Sequence, residues 1–119
     1  MKGVSEFNNI YLYCEYIDFR KGVNGLSTIV ENQMKLQAMD GVSLFLFCNK
    51  NRDKIKILYW DKTGFALWYK SLEKDRFKWP KKIEKEKVIL SQQELEWLLE
   101  GIDIQKIKKH KECNYNFAS

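Results

Sequence analysis

Two apolar, aromatic-rich runs, Ile55–Trp60 (IKILYW) and Phe65–Lys70 (FALWYK), flank Asp61-Lys62-Thr63-Gly64, and no other stretch of the chain restricts its fold as tightly. Each run is too short for a stable helix and suits a half-buried strand. The tetrapeptide between them is a turn signal in which Gly64 is expected to take positive φ, so the pair predicts a β-hairpin. A connection of this length sets Trp60 opposite Phe65 and Leu58 opposite Leu67, with Ile57 opposite Trp68 on the other face. Ile10–Cys14 (IYLYC) and Leu44–Cys48 (LFLFC) read as further strands. Arg76–Trp79 (RFKW) adds a candidate short strand, ended by Pro80, the only proline.

Helical periodicity appears twice. Val23, Leu26, Val30 and Met34 recur on one face, widened by Ile29, and predict a helix from about Phe19–Lys21 to about Leu36. Ser91-Gln92-Gln93-Glu94 is a capping box, followed by Leu95, Leu98, Leu99 and Ile102 with Gly101 at the stop. It predicts a second helix over about Gln92 to Glu100. The order β-α-β-β-β-(β)-α indicates an α+β fold, an antiparallel meander of three to five strands packed with two helices. A chain of 119 residues builds a single core. The domain is expected to span residues 1–103, with 104–119 a basic, then polar, mobile tail. Trp60, Leu58, Ile57, Leu26, Val30 and Leu98 are expected to be buried.

Several function classes fall away. No apolar run approaches a membrane span, and the first residues lack the apolar segment of a secretion signal. Cys14, Cys48 and Cys113 are odd in number and widely spaced, which suggests buried reduced thiols rather than a disulfide framework or zinc site. The expected location is the cytoplasm. His110, the only histidine, sits in the tail, so no Ser-His or Cys-His arrangement is credible. There is no phosphate-binding Gly-x-x-x-x-Gly-Lys loop. Asp18, Asp53 and Asp61 could be imagined as the metal carboxylates of a nuclease. Each has a simpler role, Asp18 as a helix cap and the other two as turn residues. The reading is therefore of a non-enzymatic protein with no cofactor, metal or small-molecule substrate.

The formal charge of +5 is unevenly distributed. Between Lys50 and Lys87 stand thirteen Lys or Arg against six Asp or Glu, so the excess positive charge lies in one stretch. That pattern fits an anionic partner. Lysine is abundant throughout, so Arg20, Arg52 and Arg76 are the more informative cations, their planar fork being suited to phosphate. Lys50, Arg52, Lys54 and Lys56 form a basic turn entering a strand, and Lys70 and Arg76 follow among Tyr59, Trp60, Phe65, Trp68, Tyr69, Phe77 and Trp79. Most of those rings are expected to build the core. Asp18–Leu26 (DFRKGVNGL) carries Arg20 and Lys21 where a helix start prefers acids, and Gly22 and Gly25 where a helix prefers most other residues. One reading is an anion site at the helix start, with glycines admitting a phosphate to the backbone. The other pairs Arg20 with a carboxylate such as Glu15 and uses the glycines for close packing. The nucleic-acid-binding candidates are thus Arg20, Lys21, Lys50, Arg52, Lys54, Lys56, Lys70 and Arg76.

Asp18–Leu26, the run Lys56–Phe65 (KILYWDKTGF), Tyr69–Pro80 (YKSLEKDRFKWP) and Leu98–Asp103 (LLEGID) together resemble the TnpB (Orf-two) accessory proteins of the insertion-sequence family numbered sixty-six. This group is distinct from the RNA-guided nuclease of the same name. The resemblance covers about Ile10 to Asp103. It implies a bacterial mobile-element protein that assists transposition beside a separate transposase, and it carries over no catalytic residue. The expected function is a transposition accessory factor that contacts DNA at the element ends through its basic surface. The alternative is an adaptor that docks the cognate transposase without touching DNA.

Overall fold

The computed structural model describes residues 6–80 and 87–107, in the order β1 (Asn9–Ile17), α1 (Val23–Asn32), β2 (Ser43–Asn49), β3 (Lys54–Asp61), β4 (Gly64–Ser71), β5 (Lys87–Leu90) and α2 (Gln92–Leu99). The strands form one sheet in the order β4-β3-β2-β1-β5. The β2-β3-β4 stretch is the meander read from the sequence, and the hairpin register pairs Trp60 with Phe65, Leu58 with Leu67 and Ile57 with Trp68. The sheet is not wholly antiparallel, however. β1 joins β2 in parallel, with α1 as the crossover between them. A short loop cannot connect parallel neighbours, and a helix can.

The fold has two cores, one on each face of the sheet. Leu26, Val30 and Met34 from α1 and the turn after it cover Tyr13, Ile17, Phe45, Phe47 and Leu58. Leu95 and Leu98 of α2 cover the other face, against Leu12, Leu44, Leu46, Ile55 and Ile57. β2 is buried on both sides, which explains its uninterrupted apolar run. Each fully buried Leu or Phe contributes about 1.5–3 kcal/mol of burial free energy, so the central strands dominate stability.

Four local expectations are corrected. Helix α1 begins at Val23 with Gly22 as its cap, because the Asp18 carboxylate accepts the Arg20 N–H and closes a turn ahead of it. The helix ends at Asn32, and the apolar stripe continues through Met34 on a chain that unwinds with Lys35 at positive φ. In the hairpin, Gly64 pairs with Asp61 within the ladder, and Lys62 takes positive φ instead. Residues Arg76–Trp79 form no strand. Their alternation is satisfied by burying Phe77 and Trp79, whose indole Nε1 donates to the Tyr13 carbonyl at 2.8 Å. The fifth strand is β5, which pairs antiparallel with β1. Trp60 is half-buried, while the other five residues expected in the core are buried.

The capping box is present as read. Ser91 accepts from the Glu94 N–H and Glu94 accepts from the Ser91 N–H, while Gly101 closes the helix at φ 85°. Ser91→Ala is expected to lower stability by about 1 kcal/mol, measured by urea unfolding. Beyond α2, a helical turn over 104–107 buries Ile104 in the second core. Residues 108–119 of the expected tail lie outside the described residues.

Candidate nucleic-acid interface

Parallel pairing of β1 and β2 has a consequence for the cations. Ile17 sits beside Asn49, so the loop leaving β1 and the turn leaving β2 emerge at the same end of the sheet. The first residue of β3, Lys54, pairs with the last of β4, Ser71, at that same end. The segment after β4 then folds back onto the turn. The Leu72 N–H donates to the Asp53 carbonyl at 2.8 Å, and the Phe77 N–H donates to the Arg52 carbonyl at 2.7 Å. Arg20, Arg52 and Arg76, the only arginines in the chain, therefore belong to one end of the sheet, with Lys21, Lys50 and Lys54.

Asn49 organises the β2–β3 turn. Its Oδ1 accepts the Asp53 and Lys54 N–H groups at 3.2 and 3.1 Å, and its Nδ2 donates to Asp53 at 2.7 Å. The Arg52 N–H donates to the Asn49 carbonyl, and Arg52 is held at φ 62°. A bulky residue in the left-handed region is uncommon and persists only where its surroundings hold it. Here the Phe77 N–H supplies part of that restraint. Asp53 is accordingly a turn residue, as is Asp61 at the hairpin.

The loop before α1 answers the question posed by its cations. Arg20 is loop, not helix, and it pairs with Asp18 rather than Glu15. Its Nη2 approaches the Asp18 carboxylate at 2.6 Å and its Nε at 3.0 Å, with its side chain 91% exposed. That fork holds the Asp18 carboxyl at about 2, below the usual range, through the side-chain hydrogen bond to Arg20 first and its backbone N–H second. The stabilisation is fully present above the unfolded carboxyl value of ~3.9 and is lost as pH falls through about 2. The Asp18 carboxyl resonance is expected to titrate near 2 and to return toward ~3.9 in Arg20→Ala. Gly25 allows close approach of Lys21, since a Cβ there would meet the Lys21 side chain at 3.3 Å.

Three lysines of the sheet donate to backbone carbonyls in or beside the helices. The Lys56 ammonium donates to the Phe19 and Lys21 carbonyls at 2.8 and 3.1 Å and lies 4.4 Å from the centre of the Phe19 ring. Partial burial lowers its pKa, offset in part by the nearby Asp18 charge. Lys70 donates to the Leu99 carbonyl at the end of α2, and Lys87 to the Met34 carbonyl after α1. The ammoniums of Lys56 and Lys70 are thus engaged within the fold. Arg20, Lys21, Lys50 and Arg76 are exposed, with Arg52 and Lys54 half-buried. The tethering by Lys87 had no signal in the sequence, because the partner is a backbone carbonyl far along the chain.

Of the interleaved rings, Tyr59, Phe77 and Trp79 are buried, Trp60, Phe65 and Trp68 are half-buried, and Tyr69 is exposed. Cys14 and Cys48 are buried free thiols, and burial pushes the Cys48 thiol up to about 12, away from thiolate chemistry. Among the described residues, no group of three His, Cys, Asp or Glu could hold a metal ion, and no helix is long and apolar enough to cross a membrane.

Residues 8–109 match the family described as IS66 Orf2-like protein. Two proteins of Sinorhizobium fredii strain NGR234 are similar to the chain. The uncharacterized protein y4jC is 30% identical over 109 residues, 92% of each chain. The uncharacterized protein y4hO is 32% identical over 94 residues, 79% of this chain and 80% of that protein. No solved structure matches. Most of the described fold, including the sheet and its basic end, lies within the matched span, and the chain belongs to the IS66 Orf2-like family, whose members are tied to insertion-sequence transposition.

Proposed function

We propose that the protein is a non-enzymatic accessory factor that assists transposition by contacting DNA at the element ends, alongside the cognate transposase. The observation that carries this reading is the collection of Arg20, Arg52 and Arg76 at one end of the sheet, on three segments remote in sequence. Guanidinium groups presented from a rigid turn and its neighbours suit the phosphate backbone. Contacts from these cations to phosphate oxygens set a protein's position on a duplex without reading its sequence, so the contact is of the positioning kind.

The test is a binding titration of the purified chain with two duplexes, one carrying the element end and one unrelated. Both are expected to bind with similar affinity. Failure of both, together with retention of the chain on the transposase, would replace DNA contact with the adaptor role.

A further inference from the structure

We propose that the basic end continues into a platform for single-stranded nucleic acid, formed by the face of β3 and β4 that α1 leaves open, with Tyr69 as the principal base-stacking ring. The proposal rests on the DNA-contact reading and names the form of DNA that the site takes.

Helix α1 covers β1, β2 and Leu58 of β3, Phe65 of β4 packs against the same core, and the loop before α1 covers Lys56. Nothing among the described elements lies beyond β4, the edge of the sheet. Along β4, Phe65, Leu67 and Tyr69 alternate onto this face, with Trp60 of β3 opposite Phe65, and Leu67 and Tyr69 are its exposed part. Leu67 is 37% exposed and Tyr69 50% exposed, unusual for neighbouring large side chains on a sheet face. Tyr69 lies 6.0 Å from the Phe19 ring, centre to centre. It pairs across the sheet with Lys56, and the next pair on that face is Lys54 with Ser71. The apolar row therefore runs into the cationic end, next to Arg20 and Lys21. No carboxylate stands on the row from Lys54 to Trp60 or from Phe65 to Ser71 on this face. The nearest acid of the adjoining loop, Asp18, is paired with Arg20.

Aromatic rings beside a cationic track fit a strand whose phosphates meet the cations while its bases stack on the rings. A duplex satisfies only the cations, because its bases already stack on one another, whereas unstacked bases satisfy both. A second copy of this chain would bring another +5 against the basic end, so charge complementarity favours the polyanion.

The experiment measures binding of the full chain to a fluorescent oligothymidylate and to a duplex of equal length, for the unaltered protein and for Tyr69→Ala, Tyr69→Phe, Leu67→Ser and Arg52→Ala, each checked by thermal unfolding. The single strand is expected to bind more tightly than the duplex. Tyr69→Ala should weaken single-strand binding roughly 5- to 100-fold and leave duplex binding nearly unchanged. Tyr69→Phe should retain binding, since the ring remains, and Leu67→Ser should weaken it less than Tyr69→Ala.

Unchanged single-strand binding in Tyr69→Ala overturns the platform, while loss of duplex binding in Arg52→Ala would leave the basic-end reading standing. Single-strand binding that depends on Tyr69 but not on Arg52 supports the platform and removes the basic end. Binding of neither form overturns both. A dimer in sedimentation that Tyr69→Ala dissociates would assign the face to a second copy and also overturn the proposal.

Discussion

Phe77→Ala is expected to destabilise the domain by about 3–5 kcal/mol, a large share of the roughly 5–15 kcal/mol that holds a domain of this size folded. Phe77 is fully buried in the core beneath α2, yet its segment has neither strand nor helix. No ladder of backbone hydrogen bonds fixes residues 72–80. Buried Phe77 and Trp79 hold the segment, with the Phe77 N–H on the Arg52 carbonyl and the Trp79 indole on the Tyr13 carbonyl. Removing the ring leaves a cavity and loosens the hydrogen bond that restrains Arg52 in its left-handed conformation. Urea unfolding of Phe77→Ala and Phe77→Leu checks this. The leucine variant, which fills much of the space, should lose markedly less. A loss below about 1 kcal/mol in Phe77→Ala would show that the segment is held by something else.

The second large effect concerns binding. The triple variant Arg20→Ala, Arg52→Ala, Arg76→Ala is expected to weaken DNA binding by on the order of 100-fold or more, from about 1.5 kcal/mol or more for each charge-assisted hydrogen bond to phosphate that is removed. Arg52 and Arg76 should account for most of it, because Arg20 must exchange its Asp18 partner for a phosphate. Stability should change by less than about 0.5 kcal/mol per site, since none of the three side chains is buried. Position 52 does not add backbone strain, because alanine and arginine meet the same left-handed penalty. Affinity measured by anisotropy, alongside unfolding of the same preparations, separates the two effects.

The hairpin, its register and α2 were legible in the sequence, because each rests on local chemistry: turn residues, alternation and a capping box. The start of α1 was not. Its boundary is set by the Asp18 carboxylate closing on Arg20, an interaction that competes with helix formation within the same few residues. The parallel β1–β2 pair was also hidden, since IYLYC and LFLFC look alike in either direction of pairing. That pairing determines the candidate site, because an antiparallel β1 would carry Arg20 to the opposite end from Arg52. Periodicity misled at Arg76–Trp79, where alternating burial needs no strand partner. The lysine-rich composition, finally, could not reveal that Lys56, Lys70 and Lys87 donate to carbonyls within the fold while the arginines crowd one end.

The salt dependence of duplex binding decides whether the arginine-bearing end of the sheet neutralises phosphates. Each phosphate neutralised lowers the slope of log affinity against log salt by about 0.9, so the unaltered chain should lose affinity steeply as salt rises. The triple arginine variant should show a shallower slope, reduced by about 0.9 for every phosphate that the arginines neutralise. Equal slopes for the two proteins, with the variant folded, would contradict the assignment of phosphate binding to the arginine-bearing end of the sheet.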